Sequence, residues 1–422
     1  MHPDARARRR IARPYTRTVV EGRTRVGINA LAVAALLCSL GSGGVLQLAG
    51  WPGLLVLALG LLGATIAVIV RQGPPALRWY AFPKALLALV LWGFIAIPWA
   101  AQPGAAAVAA GAQLLGAAVS AYLAFVTSWH ELLRALGRAL RYLLAASIVF
   151  ELVVACFVRS PLAPLWPVPE GSAPAAGAPW SADLLFSGGP IQGIAGDSGI
   201  LGFHALLGLI VFGVEFAGRS VRRPFAAAWF LVAAAVLALA RPEAGLIALV
   251  AAAVGFCLVL WGRSIREERR RPLYAVAALA AAAGIALAIL VRAPLLGSGA
   301  WLQFGVVGTV LLGLLAVTTL ARAWFRAVDR PRRSGQEFLP YGMSTVAPLL
   351  ITVAVLVESL GEAALLPSAA WVLFAALATK LKVDAEVPSL EGDVPVASWR
   401  ETPIRSAPRR AAPRPEHRAD RR

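Results

Sequence analysis

Residues 199–243 read GILGFHALLGLIVFGVEFAGRSVRRPFAAAWFLVAAAVLALARPE. Two apolar runs lie on either side of a short segment that carries Arg219, Arg222 and Arg223. A helix crosses the hydrocarbon core of a membrane with roughly 20 apolar residues, and loops with an excess of Lys and Arg are usually cytoplasmic. The stretch therefore predicts two transmembrane helices joined on the inner side.

The same pattern recurs from about residue 27 to 380, with apolar runs of spanning length and a basic loop after every second run. We therefore predict an all-α, polytopic integral membrane protein with about 12 transmembrane helices and both termini in the cytoplasm. The predicted spans are residues 27–48, 53–70, 81–100, 104–127, 140–158, 199–217, 225–240, 243–262, 273–291, 299–320, 345–361 and 365–380.

The composition agrees with a membrane protein. Of the 422 residues 59% are hydrophobic, which leaves few polar residues for a soluble domain. The net charge of +18 would suggest a nucleic-acid partner in a soluble protein, but here the arginines are spread over short loops and two tails that face anionic lipid. The expected partner is the lipid bilayer of the plasma membrane, and no nucleic acid.

Three regions follow from this pattern. Residues 1–26 form a basic cytoplasmic N-terminal tail, and residues 27–380 form the membrane domain. Residues 381–422 are rich in Pro, Ala and Arg without apolar periodicity, which predicts a disordered basic cytoplasmic tail. Within the membrane domain, leucines at helical spacing between arginines predict that residues 129–141 lie along the inner interface.

Of the 40 Lys and Arg residues, this topology places only Arg159, Arg241 and Arg292 on the outer side. Each stands at the end of a predicted span. Guanidinium groups bind phosphate oxygens in pairs, so the three could form a pyrophosphate-binding surface. Alternatively, each arginine extends separately to the outer lipid headgroups.

One long outer loop, about residues 159–198, ends in the glycine-rich sequence SGGPIQGIAGD. Glycines allow a close approach of the backbone, and the following helix would direct its positive end toward the outside. Gln192, Gly193, Gly196 and Asp197 are therefore candidate substrate-binding residues, with an anion as the ligand. Alternatively, the glycines only allow a tight return of the chain into the membrane.

His204 is the one histidine that this topology places near the outside, about a turn beneath the glycine-rich loop. It is the histidine candidate for a base, although a buried histidine is more often a hydrogen-bonded packing residue. The sequence has no Ser–His–Asp pattern, no metal-ligand spacing and no nucleotide-binding loop. No metal or cofactor is predicted.

Three stretches carry a family resemblance: SGGPIQGIAGDSGILGFHALLGLIVFGVEF at 187–216, WLQFGVVGTVLLGLLAVTTLARAWFRAVDRPRR at 301–333, and LITVAVLVESLGEAALLPSAAWVLF at 350–374. Together with the pattern of spans they resemble the O-antigen ligase and O-antigen polymerase superfamily, in particular its actinobacterial exopolysaccharide-production branch. The resemblance implies a multi-pass glycosyltransferase that takes a glycan from an undecaprenyl diphosphate carrier on the outer face, without a metal.

The chain also departs from the family pattern. Arg241 matches a family arginine, but Asp197 stands where an asparagine is usual and Pro242 where a serine is usual. A long outer loop with a second arginine and a catalytic His–Asn pair is missing, because the sequence VRAPLLGSGAW after the ninth span passes directly into the next one. Arg292 has no clear counterpart, and Glu362 resembles a late outer-face glutamate of the family.

The leading hypothesis is an O-antigen ligase-like protein of cell-surface polysaccharide biosynthesis that transfers or binds an undecaprenyl-diphosphate-linked glycan. In an active enzyme Arg241 and His204 would be catalytic, and Arg159 and Arg292 would help to hold the diphosphate. The first alternative is a catalytically degenerate paralogue that binds the glycan lipid or scaffolds other polysaccharide-assembly proteins. The second is a transporter, although the two halves of the chain show no evident repeat.

Overall fold

A computed structural model describes residues 22–72, 82–100, 102–166, 178–265, 270, 272, 274–275, 300–329, 342–362 and 370–386. The ordered elements of these ranges are helices, together with one isolated backbone bridge between Leu162 and Ser181. The predicted span 273–291 lies almost wholly outside the described residues. So do most of the two predicted tails, 1–26 and 381–422, of which the structure describes 22–26 and 381–386, both as parts of helices. Arg292 lies outside the described residues as well.

The helices are numbered here in chain order, and α5 continues into a wider π-helical turn, Val154–Val158. Short 3₁₀ turns occur at Ile97–Trp99, Gly193–Ala195 and Met343–Thr345. The helices are α1 (Gly22–Leu40), α2 (Ser42–Gln72), α3 (Lys84–Ile95), α4 (Pro103–Val126), α5 (Trp129–Val153), α6 (Ser198–Gly218), α7 (Arg223–Ala240), α8 (Glu243–Ser264), α9 (Ala300–Val328), α10 (Ala347–Glu362) and α11 (Ala370–Glu386).

In the described part of the chain, seven helices are long and apolar enough to cross a membrane. Three shorter apolar helices accompany them, at Val26–Leu40, Lys84–Ile95 and Met343–Ser359. Backbone polar groups in lipid must be satisfied within the segment, which is why the apolar runs become helices. The prediction of a helical membrane protein is confirmed, while the twelve spans and the cytoplasmic termini remain predictions.

The first predicted span, 27–48, contains a break between two helices that its apolar composition does not indicate. Helix α1 ends at Leu40, and α2 begins two residues later. A second break follows at Gly50, whose φ of 63° is non-helical and which packs against the Trp166 ring. The short first part of α2 is therefore separated from the long span that follows.

The arginine-containing segment 129–141 is the first half of α5 and continues directly into the predicted span 140–158. Ser128 caps this helix, because its hydroxyl accepts the Glu131 N–H and the Glu131 carboxylate accepts the Ser128 N–H. Leu132, Leu136 and Leu140 are buried, and α5 packs on α1 and α6. The prediction of a helix along the interface was therefore wrong in its placement, because the leucine face is covered by neighbouring helices.

Helix α6 is the most enclosed of the seven candidate spans, and α2 is the least enclosed. Close packing joins α6 with α7, α4 with α11, and α8 with α10. Gly202 of α6 lies against Pro242, and Gly208 lies against Ala233 of α7. Small residues at these positions let the helix backbones approach, as is common in membrane bundles.

Contacts between helix ends fall into two groups. In one group the α1–α2 turn contacts Ala195, and the Ile191 N–H donates to the Leu239 carbonyl at 3.3 Å. In the other group the Arg263 guanidinium donates to the Ala327 carbonyl at 2.8 Å and to the Thr345 hydroxyl at 2.8 Å. We call these the loop end and the basic end of the bundle, and successive helices run from one to the other.

Candidate functional site

At the loop end, the second half of the long loop 159–198 is anchored by Glu151 of α5. This carboxylate is 1% exposed. One oxygen accepts the N–H groups of Gln192 at 2.9 Å and Gly193 at 2.6 Å, and the other accepts the Ser181 hydroxyl at 2.9 Å. A buried carboxylate needs such donors, and here the loop provides them.

One turn earlier on α5, Ser147 holds the next residue of the loop. Its hydroxyl oxygen accepts the Ile194 N–H at 3.4 Å. Gly193 has a φ of 59°, and a side chain there would place its Cβ 2.7 Å from the Cβ of Ser147. Glycine is therefore required at this position by the backbone conformation and by the available space.

The start of the loop is tied to its return. The Leu162 N–H donates to the Ser181 carbonyl at 2.8 Å, and the Trp180 N–H donates back to the Leu162 carbonyl at 2.6 Å. The Trp180 indole N–H donates to the Ile194 carbonyl at 3.1 Å, and its ring packs on Phe150 at a centroid distance of 4.8 Å. This tryptophan therefore links both halves of the loop to α5.

The first part of α2 holds the loop from the opposite side. The Gln47 carbonyl accepts the N–H groups of Leu165 at 3.0 Å and Trp166 at 3.2 Å. The Gln47 side chain also lies against Gly196, which has a φ of 74°. The loop is thus held between α2 and α5 and leads into α6 in a defined direction.

The N–H groups considered for an anion are bonded within the chain. Gln192 and Gly193 donate to Glu151, and Ile194 donates to Ser147. The start of α6 also has a carboxylate of its own, because Asp197 accepts the Ile200 N–H at 3.0 Å as the helix cap. This arrangement matches the alternative role of the glycines, in which they allow a tight return of the chain.

Arg159 and Arg241 are the exposed cations at this end, where α5 and α7 finish. Both have left-handed backbone conformations, with φ of 53° and 49°. The Arg159 guanidinium donates to the Cys156 carbonyl at 3.0 Å. In the described part of the chain the Arg241 guanidinium makes no hydrogen bond or ion pair, and Pro242 beside it is buried against Gly202. The Arg241 side chain is therefore available to a ligand.

His204 lies within the packing of α6. It is 2% exposed, and its ring lies near the backbone of Leu40 at the end of α1. Its Nε2 has no hydrogen-bond partner among the described residues. The imidazole is therefore shielded from the surface on which Arg159 and Arg241 lie.

For two other predicted site residues the structure describes no side chain. Glu362 is the last residue of α10, and its side chain is not described. Arg292 lies outside the described residues. Among the side chains that are described, no group of three or more His, Cys, Asp and Glu could hold a metal ion.

The predicted site residues did not include Ser147, Gln47 or Trp180, and the role of Glu151 as an anchor was not predicted. The one available signal was that an ionisable residue within a span, such as Glu151, is costly and needs a reason. Its partners lie 30, 41 and 42 residues further along the chain, at distances that no local pattern reveals.

Comparison with protein families, with curated proteins and with solved structures finds no match to this chain. The resemblance to the O-antigen ligase superfamily therefore rests on the three quoted stretches and on the pattern of spans. The structure shows that the described parts of the loop, 159–166 and 178–198, are hydrogen-bonded to α2 and α5, and that Arg159 and Arg241 are exposed at the same end of the bundle.

Proposed function

We propose that the chain binds an undecaprenyl-diphosphate-linked glycan at its loop end, as part of cell-surface polysaccharide assembly in the plasma membrane. The observation that carries the proposal is the exposed guanidinium of Arg241, which has no hydrogen-bond or ion-pair partner among the described residues. It stands two residues after Leu239, whose carbonyl accepts the N–H of Ile191 in the loop that Glu151 fixes. A surface that is ordered before binding loses little conformational entropy when the ligand arrives. A guanidinium is also well suited to the paired oxygens of a diphosphate.

Apolar side chains around the arginines support a lipid-linked ligand. Phe157, two residues before Arg159, is 82% exposed, and Phe186 in the loop is 73% exposed. Leu239, two residues before Arg241, is 42% exposed. A carrier with a charged diphosphate and a long hydrocarbon tail needs cationic and apolar groups next to each other, and this end of the bundle offers both.

The geometry supports binding of the glycan lipid better than it supports transfer of the glycan. Transfer requires a base that reaches the attacking hydroxyl of the acceptor, at about 2.6–3.2 Å. His204 is 2% exposed within the packing of α6, so its ring does not reach the exposed surface. We therefore favour a glycan-lipid binder or scaffold that works with other polysaccharide-assembly proteins.

The second candidate is a glycosyltransferase of the O-antigen ligase type, for which Arg241 is the supporting residue. In that reaction the acceptor hydroxyl attacks the anomeric carbon, its proton passes to a base, and the bond from that carbon to the diphosphate oxygen breaks. Arg241 would stabilise the negative charge that develops on the departing diphosphate. The base would come from residues outside the described surface or from a partner protein.

The test uses the full chain in lipid nanodiscs with a radiolabelled undecaprenyl-diphosphate glycan. Arg241→Ala is compared with Arg71→Ala, a control because Arg71 is also an exposed arginine at a helix end, in the last turn of α2. Losing a charge-assisted hydrogen bond costs roughly 1.5–3 kcal/mol, so Arg241→Ala should weaken binding about 10- to 100-fold. The control should bind like the wild type.

Equal binding by Arg241→Ala and the wild type would overturn the assignment of Arg241, and no binding by the wild type would overturn the proposed function. Release of labelled sugar from the carrier is measured in the same samples. Release that depends on Arg241 would establish the transferase and refute a purely binding role.

A further inference from the structure

A cluster of arginines lies at the basic end of the bundle, opposite the surface discussed above. Helix α5 contributes Arg134, Arg138 and Arg141, spaced four and three residues apart and so on one side of the helix. Their common neighbour is Glu215 of α6, which is 6% exposed. Arg141 forms an ion pair with this carboxylate, and Arg134 and Arg138 lie within electrostatic reach of it.

The turn between α6 and α7 adds three further cations. Arg219 ends α6 in a left-handed conformation, Arg222 precedes α7, and Arg223 lies over the Phe216 ring at 6.0 Å. The Ser220 N–H donates to the Glu215 carbonyl at 3.2 Å, which attaches this turn to the residue that pairs with Arg141. The arginines of α5 and those of the α6–α7 turn therefore lie around the same residue, Glu215.

Five of these arginines are exposed, and the nearby carboxylates are already engaged. The exposed side chains are Arg134, Arg138, Arg219, Arg222 and Arg223, which together we call the arginine patch. Glu215 is paired with Arg141, and Glu131 accepts the Ser128 N–H at 2.8 Å as part of the α5 cap. Among the described residues, the carboxylates of α5 and α6 at this end are therefore engaged, and the patch keeps a net positive charge that attracts an anion.

Exposed aromatic side chains lie beside the patch. Phe216 and Phe225 are 43% and 46% exposed, and Tyr142, next to Arg141, is 60% exposed. Arg141 itself lies between the rings of Phe212 and Phe225, at 4.9 and 5.1 Å from their centroids. Aromatic residues at the level of the charged groups are typical of the membrane interface, where headgroups meet acyl chains.

We propose that the arginine patch is a binding site for the headgroup of an anionic phospholipid. The guanidinium groups of α5 and of the α6–α7 turn would hold the phosphodiester, and the acyl chains would lie against the exposed apolar surface of α5 and α7. Val149 of α5 is 59% exposed and Leu231 of α7 is 67% exposed, so that surface is open to lipid. A soluble phosphate would use the arginines but leave the aromatic and apolar groups without a role.

The experiment measures retained phosphatidylglycerol by native mass spectrometry on the full chain in detergent. The patch variant combines Arg138→Gln and Arg222→Gln, and leaves Arg141 and Glu215 intact. The matched control combines Arg71→Gln and Lys84→Gln, two exposed cations where α2 ends and α3 begins. Each Lys or Arg near an anionic surface is worth about 1 kcal/mol, so the patch variant should bind about 30-fold more weakly and the control about as well as the wild type.

Three results would overturn the proposal. The first is equal loss of phosphatidylglycerol from both variants, which would indicate that any exposed positive charge of the protein attracts the lipid. The second is that the wild type retains zwitterionic phosphatidylcholine as well as it retains phosphatidylglycerol. The third is that millimolar inorganic phosphate displaces the phosphatidylglycerol, which would make a soluble anion the ligand. A titration of the wild type with salt gives an independent check, since binding should weaken as ionic strength rises.

Discussion

The carboxylate of Glu151 accepts the backbone N–H of Gly193 at 2.6 Å, across 42 residues of sequence. The same side chain holds Gln192 and Ser181, so one buried group determines where the second half of the loop 159–198 lies on α5. Because Asp197 caps α6 only four residues after Gly193, the position of the loop also sets where α6 begins. The anchor therefore joins two spans through a segment that has little regular structure of its own.

Replacing Glu151 with alanine should release the loop and destabilise the protein. Each buried donor left without an acceptor costs roughly 1–3 kcal/mol, although water entering the space offsets part of this. We expect a lower apparent melting temperature in detergent and faster cleavage within residues 159–197 by added protease. Glu151→Gln, which keeps one acceptor oxygen, should have a smaller effect.

Glu243→Ala provides the control for this experiment, because Glu243 is an exposed carboxylate at the start of α8 near the same end. It should change neither the melting temperature nor the cleavage pattern. A Glu151→Ala protein with wild-type protease resistance would show that the loop is held by its other contacts, including those of Trp180 and Gln47.

The helical membrane class of the fold was predictable because the length of an apolar run is a local property of the sequence. The turn at the end of α1 was missed since Gly41 and Ser42 are small residues that apolar runs of membrane proteins often contain. The placement of residues 129–141 was missed for a different reason. Whether Leu136 faces lipid or a neighbouring helix depends on α1 and α6, which the segment itself does not reveal.

The candidate site was predictable only in part. Arg159 and Arg241 were identified from their positions at span ends, and both are exposed at the loop end of the bundle. The role of the loop N–H groups could not be predicted, because their acceptor is Glu151, which is far away in sequence. Hydrogen bonds of this kind depend on how the helices pack, and no spacing rule encodes them.

Gly193→Ala should destabilise the loop through its backbone. A non-glycine residue in the left-handed region costs roughly 1–2 kcal/mol, and the added Cβ would also collide with Ser147. We expect a lower apparent melting temperature by fluorescence-detected size exclusion. Gly63→Ala is the control, because Gly63 lies in α2 with open space around it. If both variants melt like the wild type, the loop can adjust at Gly193 without cost.

Gly202→Ala should displace the turn that carries Arg241. An added Cβ would lie 2.1 Å from Cγ of Pro242, closer than any non-bonded contact permits. The melting temperature should fall, and Pro242→Ala should restore part of the loss in the double variant, because the ring that collides is removed. Gly218→Ala at the other end of the same helix has open space and should be neutral. Additive effects of Gly202→Ala and Pro242→Ala would refute the proposed collision.

The ion pair between Arg141 and Glu215 should be far more sensitive than the one between Arg270 and Asp329. The side chains of the first pair are 11% and 7% exposed, whereas Asp329 in the second is 50% exposed. Removing one partner of a buried pair leaves the other charge unpaired and costs roughly 3–5 kcal/mol, while an exposed pair contributes about 0–1 kcal/mol.

We therefore expect Glu215→Gln to lower the apparent melting temperature strongly and Asp329→Asn to change it little. The double variant Arg141→Leu with Glu215→Leu should recover much of the loss, since it removes both charges and places apolar side chains near Phe212 and Phe225. The melting temperatures of the wild type, Arg141→Leu, Glu215→Leu and the double variant give the coupling between the two residues. A double variant as unstable as the sum of the single ones would mean that each residue acts through other contacts, and the pair would then have no energetic role of its own.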